Sequence, residues 1–126
     1  MNALILPVEI PSQNVTDRQH WRQRHNFGKA CALWLMALSL GGIPKATGPR
    51  RLVITAYRKR RIADDANLRG GAKALVDAIV RAGLLLDDND TLARIEYRQK
   101  LVSNSTTGKP ETHLSFTDVS STQDII

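Results

Sequence analysis

Acidic side chains flank a predicted helix in the middle of the chain. Asp64, Asp65 and Asn67 precede the helix, and Asp88 follows it. Mg²⁺ prefers oxygen ligands and usually takes one or two carboxylates, with water and phosphate in its other positions. Asp64 or Asp65 together with Asp88 would supply such a set, and Lys73 would neutralise charge that develops on a phosphate. This combination favours metal-assisted phosphodiester chemistry.

Each of these residues also has a local explanation. The polar residues before the helix would cap it and interact with the positive end of its dipole. The acidic stretch 87–90 is typical of a polar turn. Lys73 precedes Asp77 by four residues, the spacing of a surface ion pair worth ~0.3 kcal/mol. Taken one at a time, the local explanations are stronger, and only the combination favours chemistry.

The charge of the chain is unevenly distributed. Residues 1–61 carry 11 Lys and Arg against 2 acids, residues 62–90 carry 3 against 6, and the remainder carries 4 against 4. Basic surface favours polyanions such as nucleic acid, and an acidic cluster within it repels phosphate unless a cation is bound. Four consecutive cations directly before the acids either position phosphates or form a solubilising strand end: Arg58, Lys59, Arg60 and Arg61.

Hydrophobic periodicity predicts an α+β fold, with a mixed β-sheet of about four strands and two helices packed on it. The last two strands are separated by a polar turn, which suggests a hairpin. Pro7 marks an edge strand or a strand end, and Gly83 is expected to end the second helix. The predicted strands are at about 3–10, 51–57, 92–102 and 111–116, and the predicted helices are at about 18–40 and 72–82.

The first predicted helix carries a periodic apolar face. Phe27, Cys31, Trp34 and Leu38 follow one another at spacings of four, three and four residues. Because this spacing keeps side chains on one side of a helix, we expect these residues to be buried.

Chain geometry permits the two groups of acids to meet. A helix from Ala72 to Ala82 is about 16 Å long, and the residues from Gly83 to Asp88 span at most ~20 Å when extended. The chain can therefore just return along the helix and bring Asp88 towards Asp64. If it instead runs onward, the acids can meet only across a dimer interface or not at all.

Length and composition narrow the class of protein. The 126 residues fit a single domain, 1–126, whose last residues from about 119 are expected to fray. The single Cys31 argues for a reducing compartment and a cytoplasmic location. The apolar stretches are too short or too interrupted to cross a bilayer, so we expect no membrane association of that kind.

Three stretches together resemble the RusA family of Holliday junction endodeoxyribonucleases, especially its phage and prophage members. The first looks like the family's Pro-Ser-x-Asn turn after the first strand, the second like its basic run followed by Asp-x-Asp-Asn-Leu, and the third like its helix with a Lys and a following Asp-Asp pair. In this sequence they correspond to residues 10–14, 60–68 and 73–88.

The resemblance implies a set of site residues. The family uses three aspartates to bind Mg²⁺, with Mn²⁺ as the alternative, and a Lys in the active site. Asp64 matches the first aspartate, Asp88 the last, and Lys73 the Lys. Ala66 stands where the second aspartate is expected, so either Asp65 or Asn67 would substitute for it. The residues assigned to DNA contacts are Asn14, Arg58, Lys59, Arg60, Arg61 and Arg69.

The resemblance also implies a function. The expected activity is Mg²⁺-dependent nicking of Holliday junctions or related branched DNA in recombination and repair, by a homodimer that presents two sites to a four-way junction. The alternative is a catalytically weak or inactive branched-DNA-binding protein on the same scaffold, because Ala66 removes a ligand.

Overall fold

The computed structural model describes residues 2–13, 21–39 and 42–119. Asn14 and residues 120–126, which include most of the predicted frayed end, lie outside this described part. A short 3-10 turn, Val102–Asn104, follows the third strand. The other elements, in chain order, are β1 (Asn2–Leu6), α1 (Trp21–Ser39), β2 (Arg50–Arg58), α2 (Asp65–Gly71), α3 (Lys73–Arg81), β3 (Ala93–Leu101) and β4 (Glu111–Asp118).

The four strands form one mixed sheet in the order β1-β4-β2-β3. β4 pairs antiparallel with β1 and with β2, and β2 pairs parallel with β3. Parallel neighbours need a crossover connection, and here α2 and α3 supply it between β2 and β3. The prediction of a mixed four-stranded sheet with helices is confirmed, and β1, which ends just before Pro7, is an edge strand as expected.

The predicted hairpin of the last two strands is wrong. β4 does not pair with β3 but lies on the other side of β2, where Ile54 is the register partner of Leu114. Both Ile54 and Leu114 are buried, as is Leu4 on the far side of β4. Inserting β4 between β1 and β2 places its apolar residues at the centre of the sheet, where they are covered on the helix side.

The helices cover one face of the sheet. Residues at alternate positions of β2, Leu52, Ile54 and Ala56, are at most 1% exposed and join the core beneath the helices. α3 contributes Leu75 and Ile79, which are fully buried. The described elements thus share one hydrophobic core, built from the period of two in the strands and the period of 3.6 in the helices.

The burial of α1 differs from the prediction. Cys31 and Leu35 are fully buried, whereas Trp34 is 42% exposed and Leu38 is 37% exposed. Cys31 and Leu35 are four residues apart and lie about 40° from each other around the helix axis, whereas neighbours such as Trp34 and Leu35 differ by about 100°. Because α1 packs against β1 and α3 on one side only, the buried stripe is narrow and excludes Trp34.

The second predicted helix, 72–82, corresponds to α3, and a separate short helix, α2, precedes it and meets it at Ala72. The N–H of Ala72 donates to the carbonyls of Leu68 and Arg69, and α3 begins at the next residue. A Cβ at Gly71 would lie 1.6 Å from the carbonyl oxygen of Pro11, so only glycine allows the N-terminal turn to approach α2 this closely. Gly83 ends α3 with φ +81, as predicted.

Candidate functional site

The connection from β2 to α2 is held by β3. The Gln99 side chain accepts a hydrogen bond from the Ile62 N–H at 2.8 Å and donates one to the Ile62 carbonyl at 2.7 Å. Ile62 is itself buried. The segment that carries the basic run into Asp64 is therefore fixed at its midpoint, because both backbone groups of Ile62 are bonded to one side chain.

The basic run is divided between structural and exposed members. The guanidinium of Arg58 donates to the carbonyl of Ile10 at 2.8 Å and to the carbonyl of Arg60. The backbone N–H of Lys59 donates to the Glu9 carboxylate at 3.0 Å. Arg58 thus ties the strand end to the N-terminal segment, whereas the side chains of Lys59, Arg60 and Arg61 are exposed and available to phosphate.

Asp64 is the N-cap of α2. Its Oδ1 accepts a hydrogen bond from the Ala66 N–H at 2.8 Å, which satisfies one free amide at the helix start. Asp65 occupies the first turn and is exposed, and Asn67 is half-buried. The local explanation for Asp64 is therefore observed, but it uses only one of two carboxylate oxygens on an exposed side chain.

The acidic loop after α3 is shaped by Asp87 and Asn89. Asp87 accepts hydrogen bonds from the Asp88 N–H at 2.8 Å and from the Asn89 amide at 3.2 Å. These bonds, the first above all, and a side-chain hydrogen bond with Asp88 hold the pKa of Asp87 below its usual value. The Asn89 carbonyl oxygen accepts from the N–H groups of Thr91 and Leu92. Asp87 and Asn89 thus form the polar turn, and the exposed Asp88 carboxylate lies at its surface.

The base of this loop is fixed by a buried arginine. Arg50 is 2% exposed, and its guanidinium donates to the Leu84 carbonyl at 3.0 Å and to the Pro44 carbonyl at 2.8 Å. It also forms a 2.6 Å ion pair with Asp118 at the end of β4. Because the acidic loop starts only three residues after Leu84, Arg50 determines the point from which that loop departs.

α2 contacts β3 at Tyr97. The guanidinium of Arg69 lies 5.5 Å from the centre of the Tyr97 ring, a distance typical of a cation–π contact. Partial burial raises the pKa of the Tyr97 phenol; the positive charge of Arg69 opposes this rise, and the negative charge of Asp88 adds to it. Arg69 of α2 therefore lies over the Tyr97 ring, and the charge of Asp88 affects the phenol of the same residue.

Lys73 and Asp77 form the predicted surface pair. Lys73 Nζ lies 3.8 Å from Asp77 Oδ1, and the two side chains are 72% and 43% exposed. A pair so exposed contributes little to stability. Because the pair is weak, the ammonium group of Lys73 can leave Asp77 and bind another anion.

The candidate site offers the type of ligand atom that Mg²⁺ prefers, but the described residues do not form a ready group of three ligands. Asp64, Asp65 and Asp88 offer carboxylate oxygens, which Mg²⁺ prefers. Among residues 2–13, 21–39 and 42–119, however, no group of three His, Cys, Asp or Glu side chains is close enough to hold a metal ion. One or two carboxylates with water would suffice, but a preformed set of three is not found in this part of the chain.

Two clefts among the described residues lie away from the candidate ligands Asp64, Asp65 and Asp88. Two adjoining clefts of about 380 and 480 Å³ run between α1 and α3 and share Ala32 and Arg81. None of the carboxylates of Asp64, Asp65 and Asp88 lines either cleft. Asp64, Asp65 and Asp88 are themselves exposed, so the candidate site is an open surface that is compatible with a polymeric substrate.

Three residues important for this surface were not predicted as such. Tyr97 and Gln99 are on the helix side of β3 and alternate with the charged residues of the same strand. That alternation was a visible signal of a half-buried strand. Nothing in the sequence marks Arg50 as buried, since a charged residue at the start of a strand is normally exposed.

Comparisons with known proteins add no assignment. No protein-family model matches the chain, and no curated protein matches it significantly. No helix within the described ranges is both long and apolar enough to cross a membrane.

Proposed function

We propose that this protein is a Mg²⁺-dependent, structure-selective DNA endonuclease that nicks four-way junctions or related branched DNA. The observation that carries the proposal is the exposed run of Lys59, Arg60 and Arg61, which leads into the exposed carboxylates of Asp64 and Asp65. Lys and Arg side chains suit a phosphate backbone, and carboxylate oxygens suit Mg²⁺. The exposed Asp88 would complete the metal site.

Each residue has a role in the proposed reaction. Asp64 and Asp88, with Asp65 or Asn67, would hold the metal, which when bound supplies an activated water and stabilises the leaving oxygen. Lys59, Arg60 and Arg61 bind the flanking phosphates, and Lys73 neutralises charge on the cleaved one. Mn²⁺ is the alternative metal, because it has the same preference for carboxylate oxygens.

The second candidate is a branched-DNA-binding protein without efficient cleavage. It is favoured by Ala66, which cannot bind a metal, and by the lack of a three-ligand group among the described residues. It needs the same basic surface but no metal. In either case a homodimer would match the two-fold symmetry of a junction, which sedimentation of the free protein would test.

A nicking assay separates the two candidates. A synthetic four-way junction, labelled on each strand in turn, is incubated with the protein and Mg²⁺, Mn²⁺ or EDTA. We expect paired, metal-dependent nicks whose rate falls by about 100-fold or more in Asp88→Asn. Asp90→Asn is the matched control, because Asp90 is an exposed acid of the same loop outside the matched motif. Its rate should stay within about twofold of the parent rate.

The other outcomes decide between the remaining possibilities. Tight junction binding without nicking in either metal would establish the second candidate. Affinity for DNA that does not fall as salt rises would overturn both candidates, because phosphate contacts release counterions and must weaken with salt. Equal losses in Asp88→Asn and Asp90→Asn would mean that the loop acts through its net charge and not as a metal ligand.

A further inference from the structure

The face of the sheet opposite the helices is basic. Alternation along the strands directs Arg51 of β2 and three cations of β3 away from the core, and all four side chains are exposed. We call this surface the open face and define it by Arg51, Arg94, Arg98 and Lys100. No α-helix of the described part packs on it, since α1 and α2 pack on the other side of β1 and β3, although the 3-10 turn Val102–Asn104 contacts β2.

Among the described residues, the charge balance of the open face is positive. Within the same described ranges, Glu96 is the acid that is exposed on the open face. The Glu96 carboxylate accepts a 3.0 Å hydrogen bond from Arg98. The other acid on this side, Glu111, is 2% exposed and is bonded to the hydroxyls of Thr106 and Thr107. One carboxylate against four guanidinium or ammonium groups leaves an excess of cations.

The composition of the open face suits phosphate. Two hydroxyl residues lie on the same side of the sheet as the cations. Thr55 is the register partner of Arg98, and Ser115 is the register partner of Val53. Hydroxyl, Arg and Lys side chains are the usual partners of DNA phosphates. Among the described residues, the most exposed large hydrophobic residue on the open face is Ile5, which is 44% exposed. A protein partner would require an interface centre depleted of charge, so the open face favours a polyanion.

The row of cations on β3 has a length that can be compared with the spacing of nucleotides along a nucleic-acid strand. At about 3.3 Å per residue, Arg94 and Arg98 are ~13 Å apart and Arg98 and Lys100 are ~7 Å apart. The whole row therefore extends over ~20 Å, the rise of about six nucleotides. Because β3 is an edge strand, a duplex can approach this row without obstruction from a neighbouring strand.

β3 separates this row from the candidate site. Tyr97 and Gln99 face the helices and contact Arg69 and Ile62, whereas Arg98, between them in sequence, faces the opposite way. A straight duplex that lies along one face of the sheet does not reach the other face. A branched DNA has two arms that diverge from one point and can lie on both sides of an edge strand.

From this arrangement we infer that the open face binds a second arm of the branched DNA whose first arm lies at the candidate site. The inference rests on the proposed function and adds to it the physical basis for choosing branched over linear DNA. β3 acts as a divider between the arms, with Tyr97 and Gln99 on one side and the cations of the open face on the other. Preference for branched DNA is then a property of this face.

A triple variant tests the inference. Arg94→Gln, Arg98→Gln and Lys100→Gln together remove three charges from the open face. The matched control removes three exposed charges from the helix side: Lys29→Gln, Lys45→Gln and Arg81→Gln. Affinity for a four-way junction and for a linear duplex is measured by fluorescence anisotropy over a salt series, with folding checked by thermal melting.

The inference predicts a selective loss. The open-face variant should bind the junction at least about 10-fold more weakly, with a salt slope lower by up to ~2.7, since each phosphate contact contributes ~0.9. Its affinity for linear duplex should change less than about threefold, and the control variant should keep the junction-to-duplex ratio of the parent. If the triple variant does not fold, Lys100→Gln alone should lower the junction slope by ~0.9.

Failure of the inference is distinguishable from failure of the proposed function. If the parent protein binds and nicks the junction but the open-face variant keeps the parent ratio of junction to duplex affinity, the inference is wrong and the function stands. Equal weakening on junction and duplex also overturns it, because both substrates would then use the open face. If the parent protein shows no salt-dependent DNA binding, the proposed function itself fails.

Discussion

Gln99 bonds both backbone groups of Ile62 through the two ends of its amide, at 2.8 and 2.7 Å. Gln99 belongs to an edge strand, and Ile62 belongs to the connection that carries the basic run to Asp64. A single side chain therefore sets the position of the metal-binding candidates relative to β3. No substitution preserves both bonds, because only a primary amide of this length donates and accepts at that distance.

We expect Gln99→Leu to lower the free energy of unfolding by about 1–3 kcal/mol, since it leaves two polar backbone groups of a half-buried segment unpaired. If the protein cleaves DNA, the rate should fall more than the affinity, because the loop that is released leads to Asp64. Leu101→Gln, at an exposed position of the same strand, is the control. A Gln99→Leu protein with parental urea stability would show that the paired bonds do not hold the loop.

Arg50 should be the most sensitive charged residue for stability. Its buried guanidinium reaches two carbonyls and one carboxylate in different segments, a geometry that lysine cannot reproduce. Arg50→Lys should therefore lower the free energy of unfolding by at least about 2 kcal/mol. Asp118→Asn removes only the partner whose side chain is 70% exposed, and it should cost less than about 1 kcal/mol. Similar losses for the two variants in chemical denaturation would contradict this ranking.

The glycines should respond in a graded way to substitution by alanine. At Gly71 a Cβ meets the backbone of Pro11 at 1.6 Å, so Gly71→Ala should destabilise the protein by about 1–3 kcal/mol. At Gly70 it meets the Gln13 side chain at 2.2 Å, and that side chain can move, so the loss should be smaller. Gly48→Ala meets nothing within 4 Å and should be neutral or slightly stabilising. Thermal melting of the three variants checks the order, which a stable Gly71→Ala protein would refute.

Stability should fall in acid because of Glu111. Burial alone would raise the pKa of this carboxyl, but hydrogen bonds from His113, Thr106 and Thr107 outweigh burial and hold the pKa at about 2, against an ordinary value of 4.5. A carboxyl with a lowered folded-state pKa stabilises the protein fully above its unfolded-state pKa. That contribution is lost as the pH falls from about 4.5 to about 2.

Urea denaturation between pH 6 and pH 2 tests the role of Glu111. The parent protein should lose stability over the lower half of this range. Glu111→Gln should be less stable at pH 6 and should lose less on acidification, because it has no proton to gain. Parallel pH profiles for the two proteins would assign the acid sensitivity to other carboxyls. Glu96→Gln, at an exposed site in β3 with a single ion pair, is the control.

The local part of the fold was predictable from periodicity. The alternation of Leu52, Ile54 and Ala56 indicates a half-buried strand, and the same residues are the buried face of β2. Gly83 ends a helix in the left-handed region, as its position after an apolar stripe predicts. These features depend on neighbours within one or two turns, and the sequence contains those neighbours directly.

The pairing of strands that are distant in the sequence was harder to predict from the sequence. The polar turn before β4 is compatible with a hairpin, yet β4 pairs with β1 and β2 because its apolar residues are buried best at the centre of the sheet. The exposure of Trp34 has a similar cause, since helical spacing defines several possible stripes and the packing partner selects one. Neither outcome depends on residues close in sequence.

The sequence by itself determined which residue types were present for chemistry, namely carboxylates around a helix and cations before it, and the order of strands and helices that carries them. Tertiary structure alone decided that Arg69 lies over Tyr97, that Gln99 fixes the approach to Asp64, and that the cations of β3 face away from the helices. The physical reason is that periodicity specifies the local conformation of the backbone, whereas the meeting of distant side chains depends on strand register and on burial summed over the whole core.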